Sequence, residues 1–159
     1  REVLLEYKYG HRPDLADPFS QMLFLYYDEY FKDKGIDYLI PVPMHGARKN
    51  YRGYNQAAEL AKALSEKINI EYKDVVKRVK NSLPLYTLTK QARKMELEGA
   101  FAPKKELDTS VFEDKNILVI DDIITTGTTA SEISHFLLEE MGAEDVFILT
   151  IASVPVEID

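Results

Sequence analysis

The stretch Ile117-Leu118-Val119-Ile120-Asp121-Asp122-Ile123-Ile124-Thr125-Thr126-Gly127-Thr128-Thr129 decides how this chain is read. Four branched apolar residues in a row, Ile117 to Ile120, predict a short strand buried on both faces. Two adjacent carboxylates stand at its C-terminal end. Four threonines around Gly127 follow, and Ala130-Ser131-Glu132-Ile133 opens a helical period. The order is therefore strand, acid pair, hydroxyl- and glycine-rich turn, helix. A turn of that kind at a helix start offers N–H groups and hydroxyls to an anion, and the helix dipole adds to the attraction. Gly127 lets the backbone approach a ligand closely or take positive φ.

Acids beside an anion cradle select the ligand. Asp121 and Asp122 repel a bare phosphate. A molecule with hydroxyls next to its phosphate satisfies both features, and ribose 5-phosphate chemistry fits. The carboxylates accept hydrogen bonds from the ring hydroxyls, and Thr125, Thr126, Gly127, Thr128 and Thr129 hold the 5-phosphate. The competing reading is a buried strand that ends in a phosphoacceptor or Walker-B-like Asp. A P-loop needs Gly-x4-Gly-Lys-Ser/Thr, and the sequence contains none.

The 159 residues suit one domain with a substantial core. Without cysteine, neither a disulfide framework nor a zinc–thiolate site is available in these residues. His11, His45 and His135 lie far apart and show no ligand spacing, so no metal-ligating set is expected. No apolar run spans a bilayer and no signal peptide is visible, which gives the expectation of a cytoplasmic protein without a membrane span. The net charge of −7 argues against a broad nucleic-acid surface. Yet no acid lies between Asp37 and Glu59, where Arg48, Lys49 and Arg52 occur. None lies between Asp74 and Glu96 either, where Lys77, Arg78, Lys80, Lys90, Arg93 and Lys94 occur. Two basic windows in an acidic chain focus a small polyanion into one cleft.

Taken in order, Arg1 to Tyr9 predicts a short helix stopped by Gly10. Pro13 to Phe31 predicts a second, bent near Pro18, with Leu15, Phe19, Met22, Leu23, Tyr26 and Tyr30 on its inner face. Residues 1–35 thus form an N-terminal helical unit. Tyr38 to Val42 reads as a strand, Met44 to Asn55 as a polar loop, and Asn55 or Gln56 to Ile68 as a helix. Val75 and Val76 suggest a short strand. Residues 78–101 lack a long clean period, and Pro84, Tyr86 and the alternating Leu83, Leu85 and Leu88 suggest a loop with β character. Ala102 to Asn116 reads as a charged surface connection. Thr129 to Met141 predicts a helix turning inward Ile133, Phe136, Leu137 and Met141, capped by Gly142, and Val146 to Ala152 predicts a last strand. Strands alternating with helices give an α/β domain over 1–159 with a mainly parallel central sheet flanked by helices.

Three stretches carry a family resemblance. The opening stretch closely resembles the phosphoribosyl-pyrophosphate (PRPP) motif of type I phosphoribosyltransferases. Ile40-Pro41-Val42-Pro43, Arg48 and Arg52-Gly53-Tyr54-Asn55-Gln56 resemble the pyrophosphate-loop region of the ComF (competence protein F) family. Residues 78–101 resemble that family's mobile segment, closing on Gly99-Ala100-Phe101. Ser82, Leu85 and Glu96 depart from the family's usual Thr, Gln and Asn. The resemblance implies a type I phosphoribosyltransferase-like fold with a small mobile segment over the site, and a role in DNA uptake during natural transformation beside a helicase-like partner. It also implies that a longer protein carries an N-terminal zinc module, absent from these residues, as the part that contacts single-stranded DNA.

For an enzyme of this class the resemblance implies Mg²⁺ with PRPP. The backbone of Met44 to Ala47, hence Met44 and His45, would grip the pyrophosphate with Arg48 and Arg52, around a non-proline cis bond after Pro43. Asp121 and Asp122 would fix the ribose hydroxyls and offset positive charge on the ring. Lys90 or Arg93 would close over the site. Candidate catalytic residues are Asp121, Asp122 and Arg93, with a non-catalytic PRPP-sensing or scaffold protein as the alternative.

Overall fold

The structure is a computed structural model that describes residues 2–80, 99–104 and 108–153, with the side chains of residues 47–49 outside the description. Helix α1 (Glu2–Tyr9) and helix α2 (Ala16–Tyr30), preceded by a 3-10 turn at Pro13–Leu15, lead to strand β1 (Tyr38–Pro41). A short helix α3 (Gly46–Arg52) and helix α4 (Gln56–Ile68) follow, then strands β2 (Glu71–Tyr72), β3 (Val76–Arg78) and β4 (Phe101–Pro103). Strand β5 (Asn116–Ile124), helix α5 (Thr128–His135), continued by a π-helical turn at Phe136–Glu140, and strand β6 (Asp145–Ser153) close the described chain.

The main sheet has the order β2-β1-β5-β6, and all its pairings are parallel. β5 lies in its interior. Alternate β5 residues point to opposite faces, and each face has its own core. Ile117 and Val119 pack with Ile133, Phe136, Leu137 and Met141 from the α5 side. Leu118 and Ile120 pack with Tyr7, Leu23, Leu60, Ala61 and Leu64 from α1, α2 and α4. β1 therefore leaves the sheet toward one face and β5 toward the other. Neighbouring parallel strands whose connections diverge in this way open a crevice at their C-terminal ends, the usual ligand position in open α/β sheets.

Each predicted strand and long helix is present, with adjustments. β5 does not stop at Ile120: it runs through both acids, because β6 supplies ladder partners as far as Ile123↔Ala152 and Ile124↔Ser153. The predicted loop 44–55 contains α3. Pro18 falls in the first turn of α2, where it removes no internal hydrogen bond, so the predicted bend has no cause there. Half of the inner face expected for α2 holds, since Leu15 and Phe19 pack partly buried beside the buried Leu23, and half does not. Ala16, Ser20 and Leu23 are buried, whereas Met22, Tyr26 and Tyr30 are exposed. The surface connection after Ala102 holds a buried anchor, Phe112, edge-on to Tyr38 at 5.5 Å. No cis peptide occurs among the described residues, so the bond after Pro43 is trans, contrary to expectation. Most of the expected mobile segment, residues 81–98, lies outside the described residues.

Candidate functional site

The crevice beyond the end of β1 is a cleft of about 170 Å³. The β1–β5 register ends at Pro41↔Ile120, and the Val42 N–H donates to the Ile120 carbonyl at 2.9 Å. Past that point the two chains part. Asp121 and Asp122 line one side, and Pro43, Met44 and His45 line the other. Asn55 holds the parting chain: its amide donates to the Val42 carbonyl at 3.1 Å while its Oδ1 accepts from the Ala57 N–H, capping α4.

The acid pair is tied into its own strand. Asp121 Oδ1 accepts from the Asp122 N–H at 2.8 Å, and Asp122 Oδ1 accepts from the Ile123 N–H at 2.7 Å. Burial, with the adjacent Asp122 charge second, pushes the Asp121 carboxyl up to about 8. Asp122 Oδ2 meets Lys8 Nζ from α1 at 3.0 Å.

Asp121 also faces a smaller hollow, about 40 Å³, walled by residues 123–130. Here Gly127, at φ +73, precedes the first turn of α5, and no side chain caps that turn. The hydroxyls of Thr126 and Thr128 lie 2.8 Å apart. Open N–H groups and clustered hydroxyls suit a phosphate. Thr129 lines the larger cleft as well, so the two hollows adjoin through Asp121 and Thr129.

Of the residues expected at the site, Asp121, Asp122, Met44, His45, Arg52 and Thr129 share the cleft, and Thr125 to Thr128 line the adjoining hollow. Arg48 lies in α3, and its side chain is outside the description. Lys90 and Arg93 are outside the described residues. Arg52 turns partly toward α1: it donates to the Tyr9 hydroxyl at 3.2 Å and stacks on that ring at 4.8 Å. Lys8 and Arg78 line the cleft without having been singled out for it, and Gln56, from the stretch that resembles the pyrophosphate loop, lines it too. Arg78 stands in a basic window and was legible as a candidate. Lys8 has no local signal, since its place depends on how α1 docks.

No group of three or more His, Cys, Asp or Glu side chains able to hold a metal occurs among the described residues. Two carboxylates beside a phosphate cradle fit a Mg²⁺ ion that arrives on a ligand's phosphates and keeps its waters, rather than one caged by protein. No described helix is long and apolar enough to cross a membrane.

A parallel sheet with an acid pair and a threonine–glycine turn at one strand end is the architecture of the type I phosphoribosyltransferases. The chain belongs to the phosphoribosyl transferase domain family, whose profile matches residues 51–158. Among curated relatives it is 37% identical over 109 residues to Competence protein F of Haemophilus influenzae, covering 68% of this chain and 46% of that protein. It is 28% identical over 145 residues to the DNA utilization protein YhgH of Shigella flexneri, covering 89% of this chain and 62% of the relative. The chain thus spans about half to three-fifths of the length of these relatives. A crystal structure of adenine phosphoribosyltransferase superposes with a TM-score of 0.54 at 18% identity, covering 89% of this chain and 71% of that one.

Proposed function

We propose that this domain binds PRPP, with Mg²⁺ on its pyrophosphate, in a cytoplasmic protein of the DNA-uptake machinery. The observation that carries the reading is the acid pair lining one hollow, with Asp121 and Thr129 shared by an adjoining hollow that is an uncapped helix start rich in threonine. In this reading Asp121 and Asp122 accept hydrogen bonds from the ribose hydroxyls. Thr125 to Thr129 hold the 5-phosphate and so place C1. Met44, His45, Arg48 and Arg52 meet the pyrophosphate, and Lys90 or Arg93 approaches from the segment outside the described residues. Mg²⁺ would neutralise charge on the departing pyrophosphate.

If the domain turns over, the C1–O bond breaks, pyrophosphate leaves with the electron pair, and an acceptor lone pair forms the new bond at C1. The chain supplies no nucleophile; it orients the ribose and stabilises the ring's developing positive charge through its carboxylates. The second reading is a PRPP sensor or scaffold without turnover. Leu85 favours it, because a hydrogen-bonding side chain usually stands there in the segment that closes on the ligand. The names of the relatives, competence and DNA utilization, support the uptake role. A helicase-like partner, and single-stranded DNA bound through a zinc module of the whole protein, belong to the same proposal.

Calorimetric titration of PRPP with and without Mg²⁺ tests the binding. Pyrophosphate release across a panel of bases and amines then separates the readings. Binding with release for one acceptor class establishes a transferase, and saturable binding without release establishes the sensor. A protein that fails to bind PRPP under either condition sinks both.

A further inference from the structure

The wall of the cleft carries a cation that the roles above leave unused. α1 is held on the start of α4 by several bonds. The Tyr7 hydroxyl donates to the Gln56 carbonyl at 2.7 Å, the Gln56 amide donates to the Lys8 carbonyl at 3.2 Å, and the Tyr54 hydroxyl donates to the Tyr7 carbonyl. The backbone of Lys8 is thereby fixed at the cleft rim. Its ammonium sits 3.0 Å from Asp122 Oδ2, with the Lys8 side chain 19% and the Asp122 side chain 12% exposed. The other Asp122 oxygen accepts from the Ile123 N–H. Both oxygens of this carboxylate are engaged by donors that the protein itself supplies.

Two adjacent carboxylates beside a phosphate cradle need a counter-charge. A divalent ion on the acid pair is one solution, and a lysine anchored through its own main chain is another. A carboxylate has about four lone-pair sites, so Asp122 can keep Lys8 and the Ile123 N–H and still accept from a ribose hydroxyl. We propose that Lys8 is a positioning residue of the ribose site, a built-in counter-cation for Asp122 that lets the cleft hold a ribose phosphate without a divalent ion on the acid pair. The proposal rests on the phosphoribosyl reading above.

Ribose 5-phosphate is the discriminating probe, because it has the hydroxyls and the 5-phosphate but no pyrophosphate. Its affinity for the wild-type protein should be the same, within about twofold, in excess Mg²⁺ and in a chelator. Lys8→Met keeps an unbranched, partly buried stem and removes the charge. Its affinity in chelator should fall about tenfold, the scale of one lost charge-assisted interaction, and Mg²⁺ should restore most of it. Lys8→Arg should behave as wild type. A structural role for Lys8 would lower the melting temperature without creating this new metal dependence. Equal metal dependence in wild type and Lys8→Met would overturn the proposal. So would a strict Mg²⁺ requirement for ribose 5-phosphate in the wild type, a measurement that needs no variant to fold. PRPP binding that is normal in both proteins, with no such difference, would overturn this proposal and leave the phosphoribosyl reading standing. Absence of binding of either compound by wild type would overturn both.

Discussion

The floor of the site, from Asp121 to Thr129, comes from one uninterrupted run of chain, whereas its wall is assembled from α1, α3 and the start of α4, where partners such as Tyr7 and Gln56 stand 49 positions apart. The floor's bonds are correspondingly local. Asp121 and Asp122 each accept from the next residue's N–H, and the Gly127 carbonyl accepts from the Ser131 N–H. The wall's bonds are tertiary, and its aromatic rings make them dense: Tyr7 packs 5.3 Å from Phe19 and 5.8 Å from Tyr54. The floor brings the groups that recognise hydroxyls and phosphate. The wall fixes the cations that face them.

The strongest test of that division removes the charge of the floor alone. Asp121→Asn together with Asp122→Asn keeps the side-chain shapes and the core behind them. At pH 9, above the value of about 8 to which Asp121 is raised, each substitution weakens a charge-assisted bond of about 1.5–3 kcal/mol, so PRPP affinity should fall roughly a hundredfold or more. Inorganic phosphate, relieved of the repulsion, should bind at least as well as before. Lys8 loses its ion partner, and since that pair is largely but not wholly shielded, the melting temperature should drop by only a few degrees. Calorimetry and thermal melting read these outcomes. Unchanged PRPP affinity with a normal melt would reduce the floor to a strand–turn–helix junction.

A smaller effect separates floor from wall by pH. The Asp121 carboxyl is raised from its ordinary 3.8 to about 8, by burial first and the Asp122 charge second. Between those values the folded protein holds a proton that the unfolded chain has released. The stability this proton contributes is fully present below pH 4 and is lost as pH rises toward 8, at no more than about 1.4 kcal/mol per pH unit. Urea melts from pH 5 to pH 8 should show the decline, and Asp121→Asn should flatten it. A variant of the wall such as Tyr7→Phe should leave the slope intact. A slope that survives Asp121→Asn would assign it to another group.

The same division explains what was legible in the sequence. The floor was readable because each of its signals is local: a run of branched apolar residues, two acids, hydroxyls around a glycine, a helical period. Only its extent was misjudged, since whether a strand continues past its acids depends on β6 as partner. The α2 stripe was read correctly at Leu15, Phe19 and Leu23 and misread at Met22, Tyr26 and Tyr30, which satisfy the same helical period but are left exposed while packing against α4 and β6 buries Ala16 and Ser20. Phe112 was hidden in a charged context that burial against Tyr38 overrides. Lys8 was beyond reach for the same reason. Nothing in Tyr7-Lys8-Tyr9 says which strand end the helix will cover.

The smallest predicted effect concerns the hydroxyl that docks that helix. Tyr7 is fully buried, and burial pushes its phenol up, so it stays a protonated donor at any ordinary pH. Tyr7→Phe keeps the ring and its contacts with Phe19 and Tyr54 while removing the bond to the Gln56 carbonyl. The expected cost is about 1 kcal/mol of stability, or roughly 2–4 °C in melting temperature for a chain of this size. The Lys8 carbonyl still accepts from the Gln56 amide, and the Tyr7 carbonyl still accepts from Tyr54, so Lys8 keeps its place at Asp122. PRPP affinity should therefore change by less than about twofold, a shift of under ~0.5 kcal/mol. Melting and titration of the same preparation give both numbers. If this conservative change in the wall weakened binding as much as the loss of both acids, wall and floor would be one cooperative recognition element, and the division between them would fail.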